Sequence, residues 1–159
     1  MGGKMEQYFN AALKNIGWFG DTDILPFPIE NQLFLAERPK VVAILNTIHQ
    51  NFRDSLHSHY PINQSMLTPV GYSGFRWATQ IDPLWNAYFL GLIISIGDRI
   101  ESSRIAQARG IIFSYRFKLD KKTGSVFDRA SGWIEFQRKS VEHAGNFRNV
   151  LVCDISDFY

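Results

Sequence analysis

Hydrophobic positions along this chain change their period several times, and each change predicts an element. From Gln7 to Ile16, the residues Tyr8, Leu13 and Ile16 fall near one face of a helix that Gly17 can end. Trp18 to Pro28 reads as an extended connector, because Pro26 and Pro28 push the residues before them out of the helical region. Glu30 to Leu35 fits no single period. Pro39 opens the next helix, in which Val41, Ile44, Leu45, Ile48 and Phe52 recur at spacings of three and four over about four turns. A polar break follows from His57 to Pro61. Asn63 to Gln80 reads as a long loop punctuated by Pro69, Gly71 and Gly74, with Tyr72, Phe75 and Trp77 around Arg76. Aromatics beside a base either anchor a loop to the core or stack nucleotides.

The second half has sharper signals. Asp82-Pro83 starts a helix, since Asp accepts from the orphan amides and Pro suits the first helical position. That helix is predicted to run to about Arg104, buried through its apolar first half and emerging into solvent from Asp98 onward. Ile111 to Leu119 alternates as a period-two strand, Asp120 to Gly124 has turn chemistry, and Ser125 to Phe127 can return as a second strand. One side of this hairpin offers Arg116 and Lys118, with Lys121 and Lys122 at its tip. Gly132 precedes a helix from Trp133 to Ala144, with Trp133, Phe136, Ser140 and Val141 as its inner face and Gly145 as its stop. Val150 to Cys153 is a continuously apolar strand of the kind found at the centre of a sheet, and it delivers Asp154. The expected fold class is α+β: mostly helical, with a β-hairpin and a terminal strand, in one domain without an internal linker.

Composition narrows the class. With 159 residues, 45% of them hydrophobic and 14% aromatic, the chain can bury a core and is not a disordered tail. Its net charge of +2 says little, but the distribution says more. Residues 1–98 carry six Lys/Arg and eight Asp/Glu; residues 99–148 carry eleven and five; residues 149–159 carry two Asp and no base. A basic segment followed by a carboxylate-bearing strand suits a polyphosphate and metal site, or else is a solvated basic face. The single cysteine, Cys153, has no partner for an internal disulfide, and the N-terminus lacks a signal-peptide pattern, so a cytoplasmic protein is expected. Glu6 stands where a myristoylation motif needs Ser or Thr. The apolar run from Leu84 to Ile96 is too short to span a bilayer, so no membrane partner is expected.

The chemistry concentrates in residues 150–159, VLVCDISDFY. An apolar strand ending in Asp places a carboxylate at the rim of a sheet, where paired carboxylates hold Mg²⁺ and leave its waters free for substrate phosphates. Strand-then-Asp is common, and the same Asp could instead cap the following turn or helix.

VLVCDISDFY resembles motif A of reverse transcriptases, in particular the bacterial group related to retrons, abortive-infection enzymes and defence-associated reverse transcriptases. The stretch GFRWATQIDPLWNAYFLGLIISIGDRIESSRI, and FSYRF followed by WIEFQRKS, resemble the region upstream of motif A in the defence-associated members. The resemblance implies the fingers (1–148, with an N-terminal extension) and first palm strand (149–159) of a right-hand polymerase.

It also implies roles. Asp154 matches the first metal-ligating Asp, and the backbone carbonyl of Ile155 completes that metal's shell. Asp157 and Phe158 lie against the triphosphate through their amides, and Tyr159 is the aromatic steric gate that excludes a ribose 2′-OH. Arg116 resembles the base that contacts the triphosphate, with Arg138 and Lys118 as weaker candidates; each also reads as a surface base or ion pair. The implied cofactor is Mg²⁺. The implied partners are an RNA template, a DNA or protein primer and dNTPs, with a homo-oligomer or an associated non-coding RNA as further possibilities. The implied role is antiviral defence. The Tyr-x-Asp-Asp type motif that supplies the family's other carboxylates is absent, so this chain is expected to be an N-terminal portion that does not polymerise DNA alone. The alternative is a non-catalytic basic α/β module that binds RNA or a partner subunit.

Overall fold

The structure, a computed structural model, describes residues 3–20, 29–72, 74–151 and 153. These described residues fall into two compact units, one of those up to 103 with 117–126 and one of 104–116 with those from 127 onward. Helices dominate and the described sheet is a two-stranded antiparallel hairpin, so the class is mixed α and β, as expected.

In the first unit, helix α1 (Gly3–Phe19) buries Phe9, Leu13 and Ile16, a spacing of four and three that puts all three on one stripe. Phe9, not Tyr8, is therefore the inward aromatic. The helix runs through Gly17, which is no stop: a Cβ there would lie 2.4 Å from Leu35 Cγ, so glycine serves the close approach of the next helix. The stop is Gly20, whose φ of 77° lies in the left-handed region and whose N–H donates to the Ile16 carbonyl at 2.8 Å. Trp18 and Phe19 thus belong to the helix, and residues 21–28 of the predicted connector lie outside the described residues.

Helix α2 (Glu30–Ala36) resolves the ambiguous segment. The predicted four-turn helix is two pieces, α3 (Arg38–Gln50) with Pro39 in its first turn and α4 (Phe52–Ser58), broken at Asn51. Val41, Val42, Leu45 and Ile48 face the core, while Ile44 and Phe52 remain exposed. The core also takes Trp85, Ala87 and Tyr88 from helix α5 (Pro83–Ser103). There the Tyr88 ring stacks on Phe9 at 5.6 Å and on Phe52 at 5.9 Å.

Helix α5 begins where the sequence puts it. Asp82 Oδ1 accepts from the amides of Leu84 (2.9 Å) and Trp85 (3.1 Å), satisfying two orphan donors of the first turn. Asp82→Ala is expected to destabilise the protein by about 1 kcal/mol in urea unfolding, and Asp82→Ser to restore most of that. Its apolar first half is not buried all round: Phe89, Ile93 and Ile96 stay on an exposed face.

The segment read as a loop is the hairpin. Strand β1 (Asn63–Val70) pairs antiparallel with β2 (Gly74–Ile81) in the register Ser65↔Thr79, Leu67↔Trp77 and Pro69↔Phe75. The segment read as a hairpin, by contrast, forms no regular strands. Its backbone pairs beside the turn, where Lys118 N donates to Val126 O (3.0 Å) and Asp120 N to Ser125 O (2.8 Å).

In the second unit, the guanidinium of Arg104 donates to Tyr115 O at 2.7 Å and to Ser114 Oγ, and Asp128 N donates to Arg116 O at 2.8 Å. Helix α6 (Trp133–Ala144) has the predicted bounds, but its predicted inner face is not buried: Trp133, Phe136, Ser140 and Val141 are all exposed. The predicted terminal strand is not formed by its described residues. Val150, Leu151 and Cys153 lie in no strand and are exposed, Leu151 by 86%. A continuously apolar strand needs a neighbour on each side, and the described sheet consists of β1 and β2 alone. No helix among the described residues is long and apolar enough to cross a membrane.

Candidate functional site

Asp154, Ile155, Asp157, Phe158 and Tyr159 lie outside the described residues. Among the described residues, no group of three or more His, Cys, Asp or Glu could hold a metal ion. They therefore offer Mg²⁺ no donor set of their own.

The three candidate bases sit in different environments. Arg116 is only 7% exposed, and its Nη2 donates to the Ile105 carbonyl at 2.8 Å. The sequence puts it on the open side of a strand. Residues 111–116 instead run irregularly, and the guanidinium turns inward to close the loop that follows residue 104. Lys118 is exposed in the first unit, beside the turn that follows it. Arg138 is exposed on α6 and held by carboxylates on both sides. Its Nε and Nη2 donate to the two oxygens of Glu135 at 3.0 and 2.6 Å, and its Nη1 donates to Glu142. Lys139 adds a second contact to Glu142 at 2.8 Å.

These pairs shift the titration of their members. The hydrogen bond from Arg138 holds the Glu135 carboxyl below its ordinary range, and that from Lys139 does the same for Glu142; Arg138 is raised in turn, chiefly by Glu135. A depressed carboxylate contributes stability that is present above its unfolded pKa, 4.5 for Glu, and is lost as pH falls through the folded value. Amide hydrogen exchange in α6 is therefore expected to accelerate as pH falls below that range, after correction for intrinsic rates. The Glu135→Gln/Glu142→Gln pair should flatten that dependence; an unchanged profile would show that these contacts do not support the helix.

The basic turn after Lys118 is fastened rather than free. Asp120 accepts from Thr123 Oγ1 (2.8 Å) and Lys122 N (2.9 Å), and the Thr123 hydroxyl contributes most to lowering its carboxyl pKa. From α1, Lys14 Nζ donates to the carbonyls of Lys121 and Lys122, and Asn15 Nδ2 to that of Gly124 at 2.8 Å. The backbone of the turn is thereby fixed while the side chains of Lys121 and Lys122 point to solvent.

The second unit also holds an apolar cleft of about 620 Å³, lined by Ile111, Phe113, Tyr115, Trp133 and Phe136 among others. Its lining carries no charged group and so suits an apolar guest better than a phosphate. No sequence signal marked it, since the alternation at 111–119 hides which side chains will meet α6. On the first unit, the exposed hairpin aromatics Phe75 and Trp77 share one face, which the loop reading could not reveal. No family model, curated protein or solved structure matches the chain.

Proposed function

We propose that this chain is the N-terminal, fingers-bearing portion of an RNA-directed DNA polymerase acting in antiviral defence. The observation that carries the reading is the segment 150–159, VLVCDISDFY, with its resemblance to motif A, preceded by a stretch of 50 residues with eleven bases and five acids. The mixed α and β architecture is compatible with it. When bound, a pair of Mg²⁺ ions would activate the attacking oxygen and stabilise the leaving group. Asp154 and the Ile155 carbonyl would ligate one of them, with the remaining carboxylates supplied from outside this chain. The ring of Tyr159 would crowd a ribose 2′-OH. Arg116 and Arg138 are already engaged, by the Ile105 carbonyl and by Glu135 and Glu142, so either would have to exchange those partners for a triphosphate.

That engagement favours a second reading, a non-catalytic module that binds RNA or a partner subunit. Primer extension separates the two. A poly-rA template with an oligo-dT primer, dTTP and Mg²⁺ would be supplied to this chain and to the longest reading frame that contains it, each beside its Asp154→Ala variant. Extension by the longer protein, abolished in Asp154→Ala and absent from the present chain, is the expected result. No extension from either moves the assignment to the module. In an active longer protein, Tyr159→Ala is expected to raise ribonucleotide incorporation, and unchanged sugar selectivity would remove the gate assignment.

A further inference from the structure

The hairpin β1–β2 exposes an aromatic face. Its register puts Asn63, Ser65, Leu67 and Pro69 of β1 on the same side as Phe75, Trp77, Thr79 and Ile81 of β2. Ser65 Oγ meets Thr79 Oγ1 at 2.9 Å across the strands on that side. Beside this polar pair stand Trp77, 72% exposed, and Phe75, 71% exposed, while Tyr72 is fully exposed in the connecting turn. Rings that serve as anchors would be covered by the unit that carries them. These are not.

We infer that this face binds single-stranded nucleic acid by stacking bases on Trp77 and Phe75. Three features favour that occupant over an apolar protein surface. Residues two apart on a strand stand about 7 Å apart, which leaves between two rings roughly the thickness of one base. No Asp or Glu occurs between Asp54 and Asp82, and the one formal charge within the hairpin is the guanidinium of Arg76, which the alternation of the strand puts on the side opposite the two aromatics. A phosphate backbone therefore meets no carboxylate on either strand. Of the remaining side chains of the face, Asn63, Ser65 and Thr79 can donate to and accept from base edges, while Leu67, Pro69 and Ile81 are apolar.

The inference stands apart from the polymerase reading, because it needs neither Asp154 nor Mg²⁺. Its test uses the full chain, without metal or dNTP, and the fluorescence anisotropy of a labelled oligo(rU) strand. The decisive variant is Trp77→Leu/Phe75→Leu, which keeps an apolar surface but removes the ring faces. Binding is expected to weaken roughly tenfold or more in this variant and to stay close to the parent in Trp77→Phe, since every aromatic offers a face to a base. Annealing the probe to oligo(rA) should weaken it similarly, by hiding the base faces. The side chains are exposed, so folding should survive, which circular dichroism would verify; Tyr72→Ala at the tip serves as a second probe, with a smaller loss expected. Equal affinity of the leucine variant, or of the duplex, would overturn the inference. So would a dimer that dissociates in the leucine variant with no change in oligo(rU) affinity, which would make the face a contact between copies.

Discussion

Phe9→Ala is expected to destabilise the first unit by about 3–5 kcal/mol, measured as a fall in the urea midpoint with little change in slope. Phe9 is fully buried, and its ring stacks on Tyr88 and meets His49 edge-on at 6.0 Å, so it joins α1 to both α3 and α5. It also fills the space that α5 leaves at Gly91, where a Cβ would stand 2.5 Å from the ring. Neighbours held from three helices cannot collapse into the hole that alanine leaves, so the cavity cost adds to the lost transfer energy. Against a total stability of about 5–15 kcal/mol, a loss of this size is expected to leave the unit partly unfolded at physiological temperature. Tyr8→Ala supplies the control. Tyr8 is only half-buried at the edge of the second cluster, formed around Ala12, Ile94 and Val126, and its removal should cost much less. Equal losses for the two variants would mean that the phase of α1 is misassigned.

That phase shows where the sequence was legible and where it was not. Local chemistry was readable: Asp82-Pro83 starts α5, Pro39 lies in the first turn of α3, and α6 begins after Gly132 and ends before Gly145. Caps and prolines act on their own neighbours and need no tertiary context. The inner face of α1 was misread with Tyr8 in place of Phe9: the spacings of four and three from Phe9 to Leu13 and Ile16 fit one stripe better, and Phe9 packs against Gly91 and Tyr88.

The two hairpin readings failed in opposite directions for one reason. Residues 111–119 alternate strongly, but a strand also needs a partner backbone, and few rungs form beside the turn at 120–124. Residues 63–70 mix polar and apolar side chains without alternation and contain a proline, because both faces of their hairpin are largely solvent-exposed and neither needs an apolar set. The signals available were Gly71 and Gly74 bracketing the connection and the opposed Ser65 and Thr79. Of the candidate site, the sequence supplied the residues around Asp154 and the structure supplied the surroundings of the bases. Arg116 illustrates the gap: nothing in its period-two neighbourhood foretells a guanidinium folded onto Ile105.

The turn on α1 carries the second large effect. Gly124→Ala is expected to cost about 2–4 kcal/mol, because two independent penalties meet at one atom. Gly124 has a φ of 79°, a conformation that L side chains rarely adopt. A Cβ there would also lie 2.7 Å from Lys14 Cβ, 2.8 Å from Asn15 N and 2.9 Å from Ala11 O. Two of these three are backbone atoms inside a helix and cannot give way, so the turn must lift off α1. Lifting it breaks the Asn15 Nδ2 bond to the Gly124 carbonyl and draws Lys121 and Lys122 away from Lys14. It also loosens Val126, which is buried with Ala11, Ala12 and Ile94. Gly110→Ala separates the two penalties, since Gly110 has a φ of 60° but open space where its Cβ would stand. That variant should lose only about 1–2 kcal/mol, the backbone term alone. Equal losses at the two positions would show that the turn already stands off the helix in solution, and that Lys121 and Lys122 are free to move with it.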